Sequence, residues 1–297
     1  MADNNNSNNH AHDGSGSSSA DARASEATPR RRSPWPLAVV AALFIIVPFL
    51  AWYGTWFGRA LDDRQIGEYL ADAEKPRHIQ HALSEIEKRI SARDESAKRW
   101  YAQIAALAGN ESADVRLTAA WTMGADTGAE EFHQSLLRLV EDSEPIVRRN
   151  AALSLVSFGD ARGLPELRAM LKPYTVLARA EGTALTTLGE GARVRRGAML
   201  MRVELKPGET YEVRSPLDGK VERALVREGG KFHAGDALFV LAPDAVSVGD
   251  ALLGLERFGA AEDLPEVERY ARGVEGMPDY VKRRAAQTAE AIKRRSR

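Results

Sequence analysis

Groups able to do chemistry are few and scattered in this chain of 297 residues. Six histidines are present and cysteine is absent, which excludes disulfides, thiolate zinc sites, iron–sulfur clusters and cysteine nucleophiles. His78 and His81 stand three apart, a spacing that places two metal ligands on one helix face. No third ligand accompanies them in sequence, so they are expected to be solvated surface residues. His10, His12 and Asp13 fall in a polar tail that would hold no coordination geometry. His133 and His233 belong to different segments, and Glu130 and Glu131 are adjacent, so on a helix they face different directions. Acid–base catalysis needs titratable side chains that converge in one cleft. The sequence offers no such set, and the expectation is a protein that is not an enzyme, with no catalytic, cofactor-binding or metal-binding residues. A formal net charge of −1 also removes the usual electrostatic basis for nucleic-acid binding.

What would position any functional surface is a succession of unlike segments. Residues 1–34 are rich in Asn, Ser, Ala, Gly and Asp and are expected to be a disordered cytoplasmic tail, since they cannot bury enough apolar surface to offset ordering entropy. Residues 35–57, WPLAVVAALFIIVPFLAWYGTWF, form an uncharged run. As a helix rising 1.5 Å per residue it would cross a hydrocarbon layer of about 30 Å. Trp35 stands at one end and Trp52, Tyr53 and Trp56 at the other, where amphipathic rings favour the membrane interface. Arg30, Arg31 and Arg32 precede the run, so the tail is expected inside and the rest of the chain outside. The expected location is a single-pass anchor in the inner membrane with an extracytoplasmic, periplasmic bulk.

From 58 to 173 apolar residues recur at three- and four-residue steps, as in Ile79, Leu83, Ile86 and Ile90, and predict helices. The chain also repeats. VRLTAAWTM at 115–123 returns as VRRNAALSL at 147–155, and AALSLVSFGDARGLPEL at 151–167 returns as ALLGLERFGAAEDLPEV at 251–267 with nine identical positions. YVKRRAA at 280–286 echoes IVRRNAA at 146–152. Each unit reads as a helix, a turn, then Leu-Pro-Glu with Pro in the first turn of a second helix, where its missing N–H goes unused. The repeated Leu, Phe and Ala positions are expected to be core. The Glu-Pro-x-Val-Arg-Arg stretch at 144–149 and this helix-pair period resemble HEAT repeats, which implies a stacked solenoid over 58–173 and again over 244–297, the latter ending in a basic helix.

The two longer copies stand 100 residues apart whereas the unit is about 32 to 34, so something lies between them. The stretch 174–243 carries short apolar runs between glycine turns: TVLARA, AMLMRVEL, TYEVRS, KVERALV and ALFVLA. It repeats within itself, EGARVRRGAMLMRV at 190–203 matching EGGKFHAGDALFVL at 228–241. Gly191, Gly197, Gly219, Gly229 and Gly235 fall where tight turns call for positive φ. This two-fold pattern resembles the barrel-sandwich hybrid of biotinyl and lipoyl carrier domains, which implies an all-β module. In carrier members a lysine at a hairpin tip receives biotin or lipoate. Here the hairpin reads VELKPGETYEV, Gly208 stands where the lipoyl lysine would fall, and Lys206 is two residues early, just before Pro207.

The expected fold class is therefore α+β multidomain: a transmembrane helix, then a HEAT-like α-helical solenoid interrupted by a lipoyl-like β module. The implied function is a non-catalytic scaffold or adaptor that makes protein–protein contacts, with no cofactor. A membrane anchor followed by an unmodified lipoyl-like domain is similar to periplasmic adaptor proteins of secretion and efflux systems, although their long coiled-coil hairpin is missing. The alternative is a biotin- or lipoate-carrier subunit of an enzyme complex, which would use Lys206; a third reading is an envelope sensor that binds a ligand in the helical groove.

Overall fold

The computed structural model describes residues 60–297, which form one compact unit. The apolar run 35–57 and the tail before it lie outside the described residues, and among the described residues no helix is long and apolar enough to cross a membrane. Among the described residues ten α-helices and eight strands follow one another: α1 Asp63–Ala71, α2 Pro76–Ser91, α3 Tyr101–Ala106, α4 Ala113–Met123, α5 Glu130–Leu139, α6 Pro145–Ser157 and α7 Leu164–Met170; then β1 Tyr174–Leu177, β2 Gly182–Thr187, β3 Arg193–Val194, β4 Met199–Lys206, β5 Glu209–Arg214, β6 Gly219–Ala224, β7 Lys231–Phe232 and β8 Ala237–Pro243; then α8 Ala245–Phe258, α9 Leu264–Arg272 and α10 Asp279–Arg295.

Local chemistry starts the helices. Asp62 caps α1, its carboxylate accepting the Gln65 N–H at 2.8 Å while Gln65 Oε1 accepts the Asp62 N–H at 3.1 Å, a reciprocal capping box. Pro165 and Pro265 sit in a first turn, as the Leu-Pro-Glu reading expects, and Pro76 and Pro145 take the same place in α2 and α6. Alternate helices, α2, α4, α6, α8 and α10, form a continuous row. A side-chain hydroxyl ties successive members: Thr122 Oγ1 donates to the Leu83 carbonyl at 3.4 Å, Ser154 Oγ to Ala120 at 2.9 Å, and Thr288 Oγ1 to Leu252 at 3.1 Å. These residues share one repeat position, and in α8 that position is Gly254. A Cβ there would collide with Leu167 Cδ1, so the glycine admits the buried Leu167 and the α6–α8 step goes without the clasp.

Helix α6 serves two cores. Val147, Ala151 and Leu155 belong to the first, with residues of α1–α5, and Ala152 belongs to the second, with Leu167, Leu252, Tyr270 and Ile292. The array thus closes across the β insertion. Arg168 on α7 reaches Asp263 Oδ1 at 2.6 Å and Glu262 at 2.6 Å; Tyr270 donates its hydroxyl to the Leu171 carbonyl at 2.8 Å; Arg257 donates to the Val156 carbonyl at 2.9 Å.

Eight strands occupy Tyr174–Pro243 in two four-stranded antiparallel sheets, ordered β1-β8-β6-β3 and β5-β4-β2-β7. Exchanging β1 with β5, β8 with β4, β6 with β2 and β3 with β7 converts one order into the other. The internal repeat is therefore a structural two-fold, and its mates are buried in pairs: Val194 and Phe232, Leu200 and Leu238, Met201 and Phe239, Val203 and Leu241. The strands β2, β3 and β7 are absent from the runs picked out by hydropathy, because β3 and β7 have two residues each and carry no alternation, and β2, GTALTT, buries only Ala184. Gly191, Gly197, Gly229 and Gly235 adopt positive φ, but Gly219 does not. Gly219 lies in β6, where a Cβ would meet the Ala242 carbonyl oxygen, so close strand approach rather than turn geometry selects it.

Candidate contact surfaces

The structure does not bring the titratable residues singled out by sequence into one cleft. His78 gives its Nδ1 to Asp72 at 2.8 Å and stacks on Tyr69 with ring centroids 4.3 Å apart, while His81 tilts against the same ring at 5.9 Å. His133 Nε2 lies 2.7 Å from Asp160 and its ring stacks on Phe158, where it helps to pack the turn after α6. Arg162 and then the His133 hydrogen bond hold the Asp160 carboxyl well below the usual carboxylate range, against its burial. His233 remains exposed beside Asp236 in a β turn, and Glu130 accepts from Gln134 at 2.6 Å. Among the described residues no group of three or more such side chains could hold a metal ion. His10, His12 and Asp13 lie outside the described residues.

Lys206 ends β4 and pairs with Glu209 across the tip of the β4–β5 hairpin. Pro207 and Gly208 are the two turn residues, and Gly208 has φ +84°, the left-handed value that the second central residue of a type II turn needs. The tip is exposed. By the two-fold, its counterpart is the place where the chain enters β1 and leaves β8.

Between the open edges β1 and β5 lies a cleft of about 560 Å³, lined by both strands and by Ser143–Pro145 of the array. The two-fold mates Tyr174 and Tyr211 line it together. The Tyr211 hydroxyl is buried without a hydrogen-bond partner, and burial raises its pKa. Two ion pairs hold the β module on the array: Arg196 to Asp114 at 2.6 Å and Arg179 to Glu144 at 3.4 Å. Arg149, one of the paired arginines of the repeat signature, is only 4% exposed and stands where the module joins the array, 3.7 Å from Glu166. Burial lowers its pKa, and the nearby Glu166, Asp244 and Tyr174 oppose that effect.

The basic C-terminal helix α10 is tied to the end of α8 at its last turn. Arg295 donates to the Gly259 carbonyl at 2.9 Å and the Leu255 carbonyl at 3.2 Å, so it satisfies the end of α8 rather than its own helix. Lys293 pairs with Glu268 at 2.9 Å, while Lys282, Arg283, Arg294 and Arg297 are exposed.

Helix row α4, α6, α8 departs from the sequence reading in a second way. Leu253, expected in the core with the other repeated leucines, is 52% exposed, and Leu153 is half-buried. Trp121 stands at the same repeat position on α4 and is 60% exposed. The signal for this stripe was present in the repeat alignment, which superposes Trp121, Leu153 and Leu253, but identity at a repeat position does not say which face it occupies.

Residues 102–186 match the HEAT-repeat family. The match begins in α3, covers α4–α7 and runs on into β1 and β2; the helices after the insertion lie beyond it. No curated protein matches. Among solved structures, a single-chain, multi-domain long-chain acyl-CoA carboxylase is 24% identical over 34% of this chain, with a TM-score of 0.23. The alignment spans 10% of that enzyme's length.

Proposed function

We propose that this chain is a non-catalytic scaffold, held at the inner membrane by residues 35–57, that makes protein–protein contacts through its HEAT-like array and an unmodified lipoyl-like module on the extracytoplasmic side. The observation that carries this reading is the continuity of the helix row across the β insertion. Arg168, Tyr270 and Arg257 rejoin the array behind the insertion, so that one extended surface is kept whole while the module is set upon it. Solenoids of this kind use extended faces for binding. The Lys206 tip fits the same reading, since Pro207 and Gly208 shape it as a tight turn with Gly208 where a lipoyl-type lysine would stand.

Intact mass of the full chain isolated from its native membrane tests the proposal. The expected result is the unmodified mass, with the chain extracted only by detergent. A biotin- or lipoyl-sized increment mapped to Lys206 would replace the scaffold with a carrier subunit, and recovery without detergent would remove the anchor.

A further inference from the structure

A groove of about 420 Å³ crosses the helix row where α6 meets α8, at the one step without a hydroxyl clasp. Its lining includes Trp121, Leu153, Val156 and Leu253, with Glu87 and Asp250 as its charged residues and no lysine or arginine. We infer that this groove docks a partner segment presenting a lysine or arginine flanked by aliphatic side chains. The inference rests on the scaffold reading and specifies where and what such a scaffold grips.

Three observations converge. First, the apolar stripe is built by repetition: Trp121, Leu153 and Leu253 occupy one repeat position on successive helices, and the next copy, on α10, is the polar Gln287. Side chains that could have been polar on a solvated ridge are large and apolar for three repeats, with two of them more than half exposed. Second, the charge lining the groove has one sign. Asp250 is half-buried with no hydrogen-bond or ion-pair partner among the described residues, and burial followed by the neighbouring Asp244 raises its pKa. Arg284 opposes this from α10 but binds Glu256 instead. A cation entering beside Asp250 would supply the partner that the fold withholds, and the exposed Trp121 adds apolar surface to the same groove for the side chains that flank it. Third, the groove is a product of the array, since Gly254 draws Leu167 inward and leaves the α6–α8 ridge open beside Leu253.

The test uses the full chain in detergent and a fluorescein-labelled synthetic helix carrying one central lysine between leucines, read by anisotropy against the same helix with glutamate for lysine. The lysine helix should bind at least tenfold tighter than the glutamate helix. Asp250→Asn and Leu253→Ser should each weaken it several-fold, and Lys206→Ala should leave it unchanged. Equal affinity for both helices, or binding indifferent to Asp250→Asn and Leu253→Ser, overturns the inference. Trp121→benzoylphenylalanine and, separately, Leu177→benzoylphenylalanine are then photolysed in native cells. An adduct at position 121 whose crosslinked peptide carries Lys or Arg beside aliphatic residues supports it. A dimer of this chain, or a crosslink to its own residues 1–34, overturns the partner assignment. Adducts at 177 with none at 121 overturn the groove while leaving the scaffold standing; none at either position removes both.

Discussion

Replacing Arg168 by alanine should destabilise the whole helical array, because this one side chain bridges the two halves that the β module separates in sequence. Its guanidinium contacts Asp263 at 2.6 and 3.2 Å and Glu262 at 2.6 Å. Asp263 is 6% exposed and also accepts the Ala260 N–H at 2.9 Å, so without Arg168 a buried carboxylate keeps only a backbone partner. Breaking one side of a buried pair costs about 3–5 kcal/mol. The Arg168 side chain is 35% exposed, and solvent screening of exposed charge reduces that figure to about 2–3 kcal/mol. For a unit of this size about 1 kcal/mol shifts Tm by roughly 2–4 °C, so the midpoint should fall by about 4–12 °C. Arg168→Lys should recover only part of the loss, since an ammonium cannot contact both carboxylates as the planar fork does. Lys98→Ala removes an exposed pair with Glu95 and should change little. Thermal and urea unfolding of the full chain, followed by far-ultraviolet circular dichroism, is the assay. If Arg168→Ala melts within about 1 °C of the parent, the two halves are held together by apolar packing and the Tyr270 and Arg257 hydrogen bonds without it, and the bridging role given to this residue is refuted.

Acid should loosen the array in a defined window. Burial would raise the Asp142 pKa, but the Arg116 hydrogen bonds and the Glu144 amide outweigh it and hold the carboxyl below its ordinary value. A depressed folded pKa gives stability that is present in full above the unfolded value of about 3.9 and is lost as pH falls through the lower folded one. Asp142→Asn should therefore cost about 2 kcal/mol at neutral pH and flatten the stability profile below about pH 4, as read from urea midpoints between pH 7 and pH 2. Gly208→Val should destabilise the β module by about 1–2 kcal/mol, because a side chain is forced into the left-handed region; an unchanged midpoint would mean that the hairpin tip rearranges freely. Tyr211→Phe should leave stability unchanged or raise it by up to about 1 kcal/mol, since the lost hydroxyl is buried without a partner; a clear loss would show that the hydroxyl is bonded in solution.

Much of the architecture was legible because repetition records which residues meet. The 100-residue offset located the insertion, and the Leu-Pro-Glu copies located the first turns of α7 and α9. Internal similarity within 174–243 became the exchange of one sheet for the other. Identity between copies was less informative about environment. Glu166 and Glu266 are the same residue at the same position, yet one faces Arg148 at 3.1 Å and the other Arg269 at 2.6 Å. Leu155 and Leu255 are both buried, but Leu253 is open to solvent. Asp250 could not be singled out at all, because its environment depends on how α8 packs beside α6 after 70 intervening residues of β structure have been looped out.

That looping out has a simple geometric basis. The strand by which the chain enters the module, β1, lies directly beside the strand by which it leaves, β8, with Tyr174 opposite Leu241 and Thr175 opposite Val240. Partners across an antiparallel ladder are about 4.5–5.5 Å apart, so the module returns the chain almost where it took it, and α8 can stack on α6 as the next repeat would. A fold whose ends lay on opposite sides would have forced the two halves apart and left Ala152, Leu167 and Leu252 with nothing to pack against. The same two-fold places the image of this junction at the β4–β5 hairpin, where Pro207 and Gly208 close the chain instead of joining it to helices. One end of the module is thereby committed to the array and its image, carrying Lys206, is not. The free tip is thus a consequence of placing a two-fold β module between two repeats, whereas the clasp-less α6–α8 step follows from Gly254 in the array itself.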